Sequence, residues 1–108
     1  MGDPMEITTD ELKAKMGSGA KVTLVDVREP WEWSLCHLEG ARHIPMGEIP
    51  ARCLELDPED DVVVYCHVGQ RSAMVVQYLR KQGFQKAVNL RGGIEAWASQ
   101  VDPTLRRY

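Results

Sequence analysis

Two kinds of apolar pattern alternate along the chain. Short, mainly apolar segments cover 21–27, 62–65 and 87–90, and between them apolar residues recur every three or four positions. Runs of that length predict buried strands, whereas the three-to-four spacing predicts helices with one face in the core. Strands that alternate with helices favour an α/β domain, in which helices cover both faces of a parallel sheet.

Local signals at the helix ends support this division. Thr8 and Glu11 have the spacing of a capping box, and Pro30 stands at a position where prolines open helices. Gly83 and the pair Gly92-Gly93 bound the later helices. The predicted helices cover about 8–16, 30–40, 70–82 and 94–99, and a short helix interrupted by Pro50 lies between the second and the third.

Length and composition indicate one folded domain over residues 1–108. Hydrophobic residues make up 44% and charged residues 27% of the chain, which argues against a disordered or fibrous protein. The net charge of -3 gives no basic surface for a nucleic acid. We interpret residues 1–4 as a remnant of the expression vector or a disordered leader, and residues 102–108 as a tail.

The cysteines and the N-terminus bear on the location of the protein. Cys36, Cys53 and Cys66 cannot all pair within one chain and form no C-x-x-C motif, so a reducing compartment fits better than a secreted disulfide scaffold. The first residues lack the basic and apolar regions of a signal peptide, and no stretch reaches the length of a membrane span. We expect a soluble cytoplasmic protein that binds neither membranes nor nucleic acids.

The strongest chemical signal follows the apolar run 62–65, which leads into Cys66. Parallel sheets bind ligands at the carboxyl ends of their strands, and Cys66 falls at such an end. Gly69 allows a tight loop, and the N-terminus of the next helix favours an anion there. Arg71 adds donors suited to an oxyanion, and Ser72 adds a hydroxyl that caps the helix or bonds the sulfur. Together these residues predict a reactive thiolate in an anion-binding loop.

Several other polar and aromatic residues are expected to stabilise the fold rather than to react. Asp26 and Arg28 are predicted to pair in a buried or half-buried network behind the loop, because buried charges need partners. Cys36 and Cys53 are interpreted as packing or surface thiols, with a resolving role as the minor alternative. Trp31 is expected on the exposed side of its helix, where docking of a partner and local packing are both open interpretations.

Four segments resemble the single-domain rhodaneses in sequence and in order. The loop CHVGQRS is similar to the family's Cys-x-x-Gly-x-Arg-Ser pattern, and LVDVREPWEW is similar to its Asp-x-Arg-x-x-x-Glu segment. CHLEGARHIP resembles the family's Gly-His-Ile-x-Gly-Ala-x-Asn-Ile-Pro segment, and NLRGGIEAW resembles its Gly-Gly-x-x-x-Trp signature. Cys36 and His43 depart from the family, which usually has Gly and often Asn at these positions.

The resemblance implies a rhodanese-like α/β fold, with a central, mainly parallel sheet of about five short strands and helices on both faces. It also implies a sulfurtransferase of the thiosulfate type that requires no metal or organic cofactor. In such an enzyme the catalytic Cys66 attacks the outer sulfur of thiosulfate, and the persulfide passes that sulfur to cyanide, a cellular thiol or a thiol-bearing protein. Asp26 and Arg28 are expected to support the loop. The implied substrate-binding residues are His67, Val68, Gly69, Gln70, Arg71 and Ser72.

Two other functions stay open on this pattern. One is a rhodanese-like module that only recognises a partner, although such modules commonly lack the cysteine found here at Cys66. The other is a phosphatase or arsenate reductase, because these enzymes also hold an anion in a cysteine loop. Only four residues separate Cys66 from Arg71, one fewer than in the related phosphatases, and the shorter loop favours sulfur transfer.

Overall fold

Five short strands form one sheet in the computed structural model, which describes residues 5–108; the interpretation of residues 1–4 lies outside this range. The strands are β1 (Glu6–Ile7), β2 (Thr23–Asp26), β3 (Arg42–His43), β4 (Val62–Tyr65) and β5 (Val88–Leu90). Their order across the sheet is β1-β5-β4-β2-β3, and all four pairings within the described range are parallel. The predicted five-stranded parallel sheet is confirmed.

Helices connect the strands, and local sequence signals explain where several of them begin. They are α1 (Thr9–Gly17), α2 (Pro30–Leu35), α3 (Ile49–Arg52), α4 (Gln70–Lys81) and α5 (Gly93–Gln100), with 3-10 turns at Met46–Glu48 and Cys53–Glu55. The predicted capping box opens α1, because Thr8 and Glu11 each accept a hydrogen bond from the other's backbone amide. Within residues 5–108, no helix combines the length and the apolar character needed to cross a membrane.

The sheet is buried on both faces because side chains alternate from one face to the other along each strand. Val62 and Val64 of β4 belong to a core cluster with Leu79 of α4. Val63 and Tyr65, between and after them, belong to a second cluster that includes residues of α1 and α5. Helices therefore cover both faces, as predicted for the α/β class.

The second helix is shorter than the sequence predicted. α2 ends well before Gly40, and Cys36 is already extended, with φ -171° and ψ 154°. The carbonyl of Cys36 accepts a hydrogen bond from Arg28 Nη2, and the amide of Leu38 donates one to Tyr65 Oη. These tertiary contacts draw the segment out of the helix, and no local pattern in the sequence signals them.

Three smaller differences concern element boundaries. The predicted strand 21–27 is regular only over β2, and Pro50 lies in the first turn of α3 instead of interrupting a helix. Proline is tolerated in a first helical turn because the amide it lacks has no intrahelical partner there. The strand β1 was not predicted, because two residues carry no periodic signal.

The pair Gly92-Gly93 brings α5 into contact with the segment that follows β4. Both residues have positive φ angles, of 79° and 62°. The amide of Ile94 donates to the carbonyl of Cys66 over 2.9 Å, and that of Glu95 donates to the carbonyl of His67 over 3.0 Å. A Cβ atom at Gly93 would lie 2.6 Å from the Cys66 oxygen and 2.4 Å from the His67 oxygen. Only glycine fits this approach.

We predict that Gly93→Ala lowers the free energy of unfolding by at least about 2 kcal/mol, because it adds a backbone clash to an unfavourable φ. Gly17→Ala is the matched control, since a Cβ at Gly17 meets nothing within 4 Å and the residue ends α1. The control should be neutral or slightly stabilising. Urea unfolding of both variants checks this, and equal effects would contradict the close-approach explanation.

Candidate active site

The sulfur of Cys66 lies in a cradle of hydrogen-bond donors at the carboxyl end of β4. Cys66 directly follows the strand and is only 1% exposed. Its Sγ accepts hydrogen bonds from the amide of Gly69 at 3.1 Å and from the amide of Ser72 at 3.4 Å. The hydroxyl of Ser72 lies 3.2 Å from the same sulfur. Three donors thus surround one buried sulfur atom.

The start of α4 supplies these donors. Gly69 precedes the first helical residue with φ 104°, a left-handed conformation that turns the chain from the strand into the helix. The first amides of a helix have no partner within the helix, and its dipole is positive at this end. Two such amides, of Gly69 and Ser72, are directed at the sulfur. This arrangement favours an anionic sulfur at Cys66.

Asn89 of β5 fixes the loop from the side of the neighbouring strand. Its Nδ2 donates to the carbonyl of Gly69 over 3.0 Å, which directs its Oδ1 at the hydroxyl of Ser72, 2.5 Å away. A hydroxyl has one proton, so Ser72 donates either to Asn89 or to Cys66 at any moment. The carboxamide therefore positions the Ser72 hydroxyl beside the nucleophile.

The guanidinium of Arg71 is paired end-on with the carboxylate of Glu32. Nη1 and Nη2 donate to Oε1 and Oε2 over 2.7 Å and 2.9 Å. Glu32 is buried, while one third of the Arg71 side chain is exposed. The hydrogen bonds from Arg71, helped by one from Tyr108, lower the pKa of Glu32 to about 2 despite its burial. In turn, Glu32 raises the pKa of Arg71 above its ordinary value. The two charges thus largely cancel. We call the partly exposed region around Arg71 and Glu32 the mouth of the site.

Asp26 and Arg28 form a fully buried pair behind this site. Nε and Nη2 of Arg28 donate to the Asp26 carboxylate, with the shortest contact at 2.6 Å, and Nη2 also donates to the carbonyl of Cys36. Burial lowers the pKa of Arg28, but the hydrogen bonds to Asp26 and Tyr108 outweigh it and raise the net value above normal. The pair joins the end of β2 to the segment after α2. Its support of the catalytic loop remains a prediction.

Tyr108 reaches the same mouth from the far end of the chain. Its hydroxyl accepts a hydrogen bond from Arg28 Nη1 over 2.9 Å and donates one to Glu32 Oε2 over 2.7 Å. Its ring stacks on that of His67, with centroids 4.0 Å apart, and meets Trp31 edge-on. Trp31 itself is exposed, as the sequence predicted.

The predicted site residues do not all converge. Gly69 and Ser72 face the sulfur, and Arg71 lies at the mouth with Glu32. His67 lies under Tyr108 instead. Val68 in the loop and Gln70 at the start of α4 are exposed, and within residues 5–108 no hydrogen bond joins the side chain of Gln70 to the Cys66 sulfur. Substrate binding by these residues remains a prediction.

Three residues that hold the site together were not predicted from the sequence. Glu32 was visible as the acidic member of the Asp-x-Arg-x-x-x-Glu segment, but spacing alone did not pair it with Arg71. Asn89 is a polar residue within a predicted buried strand, and such a residue signals a hydrogen-bonding role. Tyr108 had no signal except that it is the one aromatic residue of a polar tail.

The other two cysteines have different surroundings. Cys36 is partly buried and donates to the carbonyl of Arg106, whereas Cys53 is buried in the core beside α4. All three cysteines are free thiols. In the described part of the chain, no three histidine, cysteine or acidic side chains are grouped as a metal site requires.

Cys66 lies at the carboxyl end of a parallel strand, and the N-terminus of a helix surrounds its sulfur. These two features define the class of this protein, an α/β protein with a cysteine loop. The rhodanese-like domain family matches residues 8–100. A sulfurtransferase of Allochromatium vinosum is 41% identical over 100 residues, which cover 93% of this chain and 94% of that protein. A crystal structure of a rhodanese-like domain protein from Staphylococcus aureus is 38% identical, with a TM-score of 0.83 over 95% of this chain and 97% of that one.

The chain belongs to the rhodanese-like domain family. It is also 41% identical over 104 residues to the probable adenylyltransferase/sulfurtransferase MoeZ of Mycobacterium tuberculosis. That match covers 94% of this chain but 26% of MoeZ, so the chain spans about a quarter of the length of this curated relative.

We predict that the contribution of Glu32 to stability is lost in acid. Its pKa is lowered on folding to about 2, so its stabilisation is complete above the unfolded value near 4.5 and disappears as the pH falls through about 2. The difference in unfolding free energy between the parent and Glu32→Gln should therefore shrink by up to about 3 kcal/mol between about pH 6 and pH 2.

Urea unfolding at several pH values measures this difference, and Glu39→Gln provides the control because Glu39 is exposed. The control should differ little from the parent at every pH. A constant difference for Glu32→Gln across the range would show that the Glu32 carboxylate does not act through its charge.

Proposed function

We propose that the protein is a thiosulfate sulfurtransferase in which Cys66 carries the transferred sulfur. The observation that carries this proposal is the cradle of three donors around the buried Cys66 sulfur, from Gly69 and Ser72. The names of relatives, such as the sulfurtransferase of Allochromatium vinosum, support sulfur transfer as the reaction class. Thiosulfate as the donor is our own assignment.

The first half-reaction forms a persulfide on Cys66. The Cys66 thiolate attacks the outer sulfur of thiosulfate, a new S–S bond forms, and the S–S bond within thiosulfate breaks. Its electron pair leaves with sulfite, so the products are an anionic persulfide and sulfite, and charge is conserved. This is covalent catalysis by a nucleophile held ready for attack.

The second half-reaction returns Cys66 to its starting state. A thiophilic acceptor, which is cyanide or a thiolate, attacks the outer sulfur of the persulfide. The products are thiocyanate or a new persulfide, and the electron pair of the broken S–S bond restores the Cys66 thiolate. Since the transferred sulfur is anionic between the two steps, the amides and the hydroxyl around Cys66 supply preorganised donors for it.

Arg71 is proposed to bind the sulfonate end of thiosulfate while it stays paired with Glu32. Within residues 5–108, Glu32 occupies two of the five N–H groups of Arg71, and three remain. Because the carboxylate of Glu32 largely cancels the positive charge, Arg71 would bind the donor mainly through hydrogen bonds. The planar fork of N–H groups in a guanidinium has the geometry to recognise an oxyanion in this way.

We also infer that a thiol acceptor operates in a reducing compartment such as the cytoplasm. All three cysteines are free, including the partly buried Cys36, which is the pattern of proteins kept reduced. The acceptor is then a cellular thiol or a protein thiol, and cyanide serves as its substitute in an assay.

Incubation with thiosulfate should add the mass of one sulfur atom to the protein, with release of one sulfite per chain. Peptide mapping should place the added sulfur on Cys66. Cys66→Ser should show no gain, because a serine hydroxyl stays protonated near neutral pH, whereas Cys53→Ser should behave like the parent. A parent protein that gains no sulfur would exclude the proposal and favour a module that only binds a partner.

Arg71→Ala should raise the KM for thiosulfate by about tenfold to a hundredfold, the factor expected for a lost hydrogen bond to a charged group. Part of this increase has a second origin, because the buried Glu32 carboxylate is left uncompensated and repels the anionic donor.

The double variant Glu32→Gln with Arg71→Ala separates the two effects. It removes the repulsion but still lacks the Arg71 donors, so its KM should lie between those of the parent and of Arg71→Ala. A KM equal to that of the parent in both variants would show that Arg71 does not bind the donor.

A further inference from the structure

The segment after α5 folds back along the body of the protein instead of extending into solvent. A turn closes at residues 102–105, where Asp102 accepts hydrogen bonds from the amide and the hydroxyl of Thr104. Leu105 packs against the core cluster that contains Leu38 and Trp97. The sequence classified 102–108 as a tail, and the structure gives this tail a defined path towards the active site.

Two polar contacts hold the tail just before Tyr108. Cys36 donates its S–H to the carbonyl of Arg106 over 3.0 Å, and Arg107 forms an ion pair with Glu95 of α5. Cys36 lies next to α2, and Glu95 lies beside the loop that carries the nucleophile. The tail therefore connects the end of α2, at Cys36, with α5, at Glu95.

Tyr108 closes this bridge over the mouth. Its hydroxyl joins Arg28 to Glu32, and its ring lies on His67, the residue next to the nucleophile. Burial, helped by the Glu32 carboxylate, raises the pKa of Tyr108 to about 12, so the phenol stays protonated at neutral pH and keeps its hydrogen bond to Glu32. The polar and the stacking contacts both favour one closed position of the ring.

In this closed arrangement the Cys66 sulfur is buried and one buried nitrogen has no hydrogen-bond partner within residues 5–108. Cys66 is 1% exposed, so a donor reaches its sulfur only after some movement of the surrounding residues. Under the Tyr108 ring, Nε2 of His67 is buried and has no hydrogen-bond partner within residues 5–108. An unsatisfied buried polar atom costs free energy, and this cost is removed when the tail lifts and water reaches the imidazole.

We propose that Tyr108 is a specificity-determining residue that selects the reagents reaching Cys66 by size. Small sulfur donors and thiophiles enter after a slight displacement of the ring, whereas a bulky thiol requires the tail 102–108 to leave the mouth. The proposal rests on the proposed sulfur transfer for its biological meaning. The accessibility of Cys66 to reagents of different size can be measured without any sulfur transfer.

The test compares alkylation of Cys66 by a small and a bulky reagent, iodoacetamide and a maleimide carrying a polyethylene glycol chain. Labelling rates are read on the Cys66 peptide by mass spectrometry, in the parent and in Tyr108→Ala, Tyr108→Phe and Arg106→Ala. Arg106→Ala is the matched tail control, since Arg106 contacts the body of the protein through its carbonyl. Cys53, which is buried in the core cluster of Val62, Val64 and Leu79, reports global unfolding in the same samples.

In Tyr108→Ala, the bulky reagent should react with Cys66 at least about tenfold faster, because even one lost hydrogen bond to a charged group corresponds to that factor and this variant loses two. The rate with iodoacetamide should rise by much less, so the ratio of the two rates changes. Tyr108→Phe should lie between the parent and Tyr108→Ala, because it keeps the stacking on His67 but loses both hydroxyl contacts. Arg106→Ala should match the parent.

Either of two results would overturn the proposal. One is an unchanged ratio between the two reagents in Tyr108→Ala, which would mean that the ring does not select by size. The other is an equal acceleration at Cys53, which would mean that the substitution acts by unfolding the domain. A separate failure of thiosulfate to add sulfur to Cys66 would remove the proposed function but leave these labelling rates unaffected.

Discussion

The carboxyl edge of the sheet depends on the buried guanidinium of Arg28. A charge with no exposure to water is tolerated only when it is paired and its N–H groups are bonded, and Arg28 meets both requirements. It bonds Asp26 within β2, the carbonyl of Cys36 after α2, and the hydroxyl of Tyr108. One side chain thereby holds three separate parts of the chain in a single arrangement. The mouth of the site is built on that arrangement.

The Cys66 sulfur is bonded by groups that the fold leaves without other partners. The amides of Gly69 and Ser72 belong to the start of α4, where no carbonyl of the helix is available to them, so their bonds to Cys66 cost the helix nothing. Asn89 from β5 and the close approach of Gly93 then hold the loop from two further directions. The cradle is rigid because strands and helices, rather than the loop alone, determine its shape.

Glu32 connects the chemistry of the site to its cover. Its carboxylate accepts hydrogen bonds from Arg71, from the hydroxyl of Tyr108 and from the amide of Glu29 at the start of α2. In the proposed reaction, thiosulfate binds the remaining N–H groups of Arg71 while Glu32 keeps its ion pair, and Tyr108 bonds the same carboxylate. The proposed donor-binding residue and the proposed selector of access therefore share Glu32 as a partner.

The sequence by itself determined the class of fold and the strand end at which Cys66 lies. Apolar runs and helical spacing are local patterns, and they predicted the parallel sheet, its covering helices and the position of Cys66 at a strand end, because strand and helix periods are properties of short segments. The glycines, arginine and serine of the loop were readable for the same reason: the turn at Gly69 and the donors of α4 involve only a few consecutive residues.

Only the tertiary structure decided which distant groups meet at the sulfur. The early end of α2, the pairing of Arg71 with Glu32 and the position of Asn89 each depend on contacts between residues far apart in the chain. Tyr108 is the clearest case, because it lies 76 positions after Glu32 in the sequence and no local pattern distinguishes a docked tail from a free one. Such contacts arise when the elements pack, and packing depends on the whole chain rather than on any one segment of it.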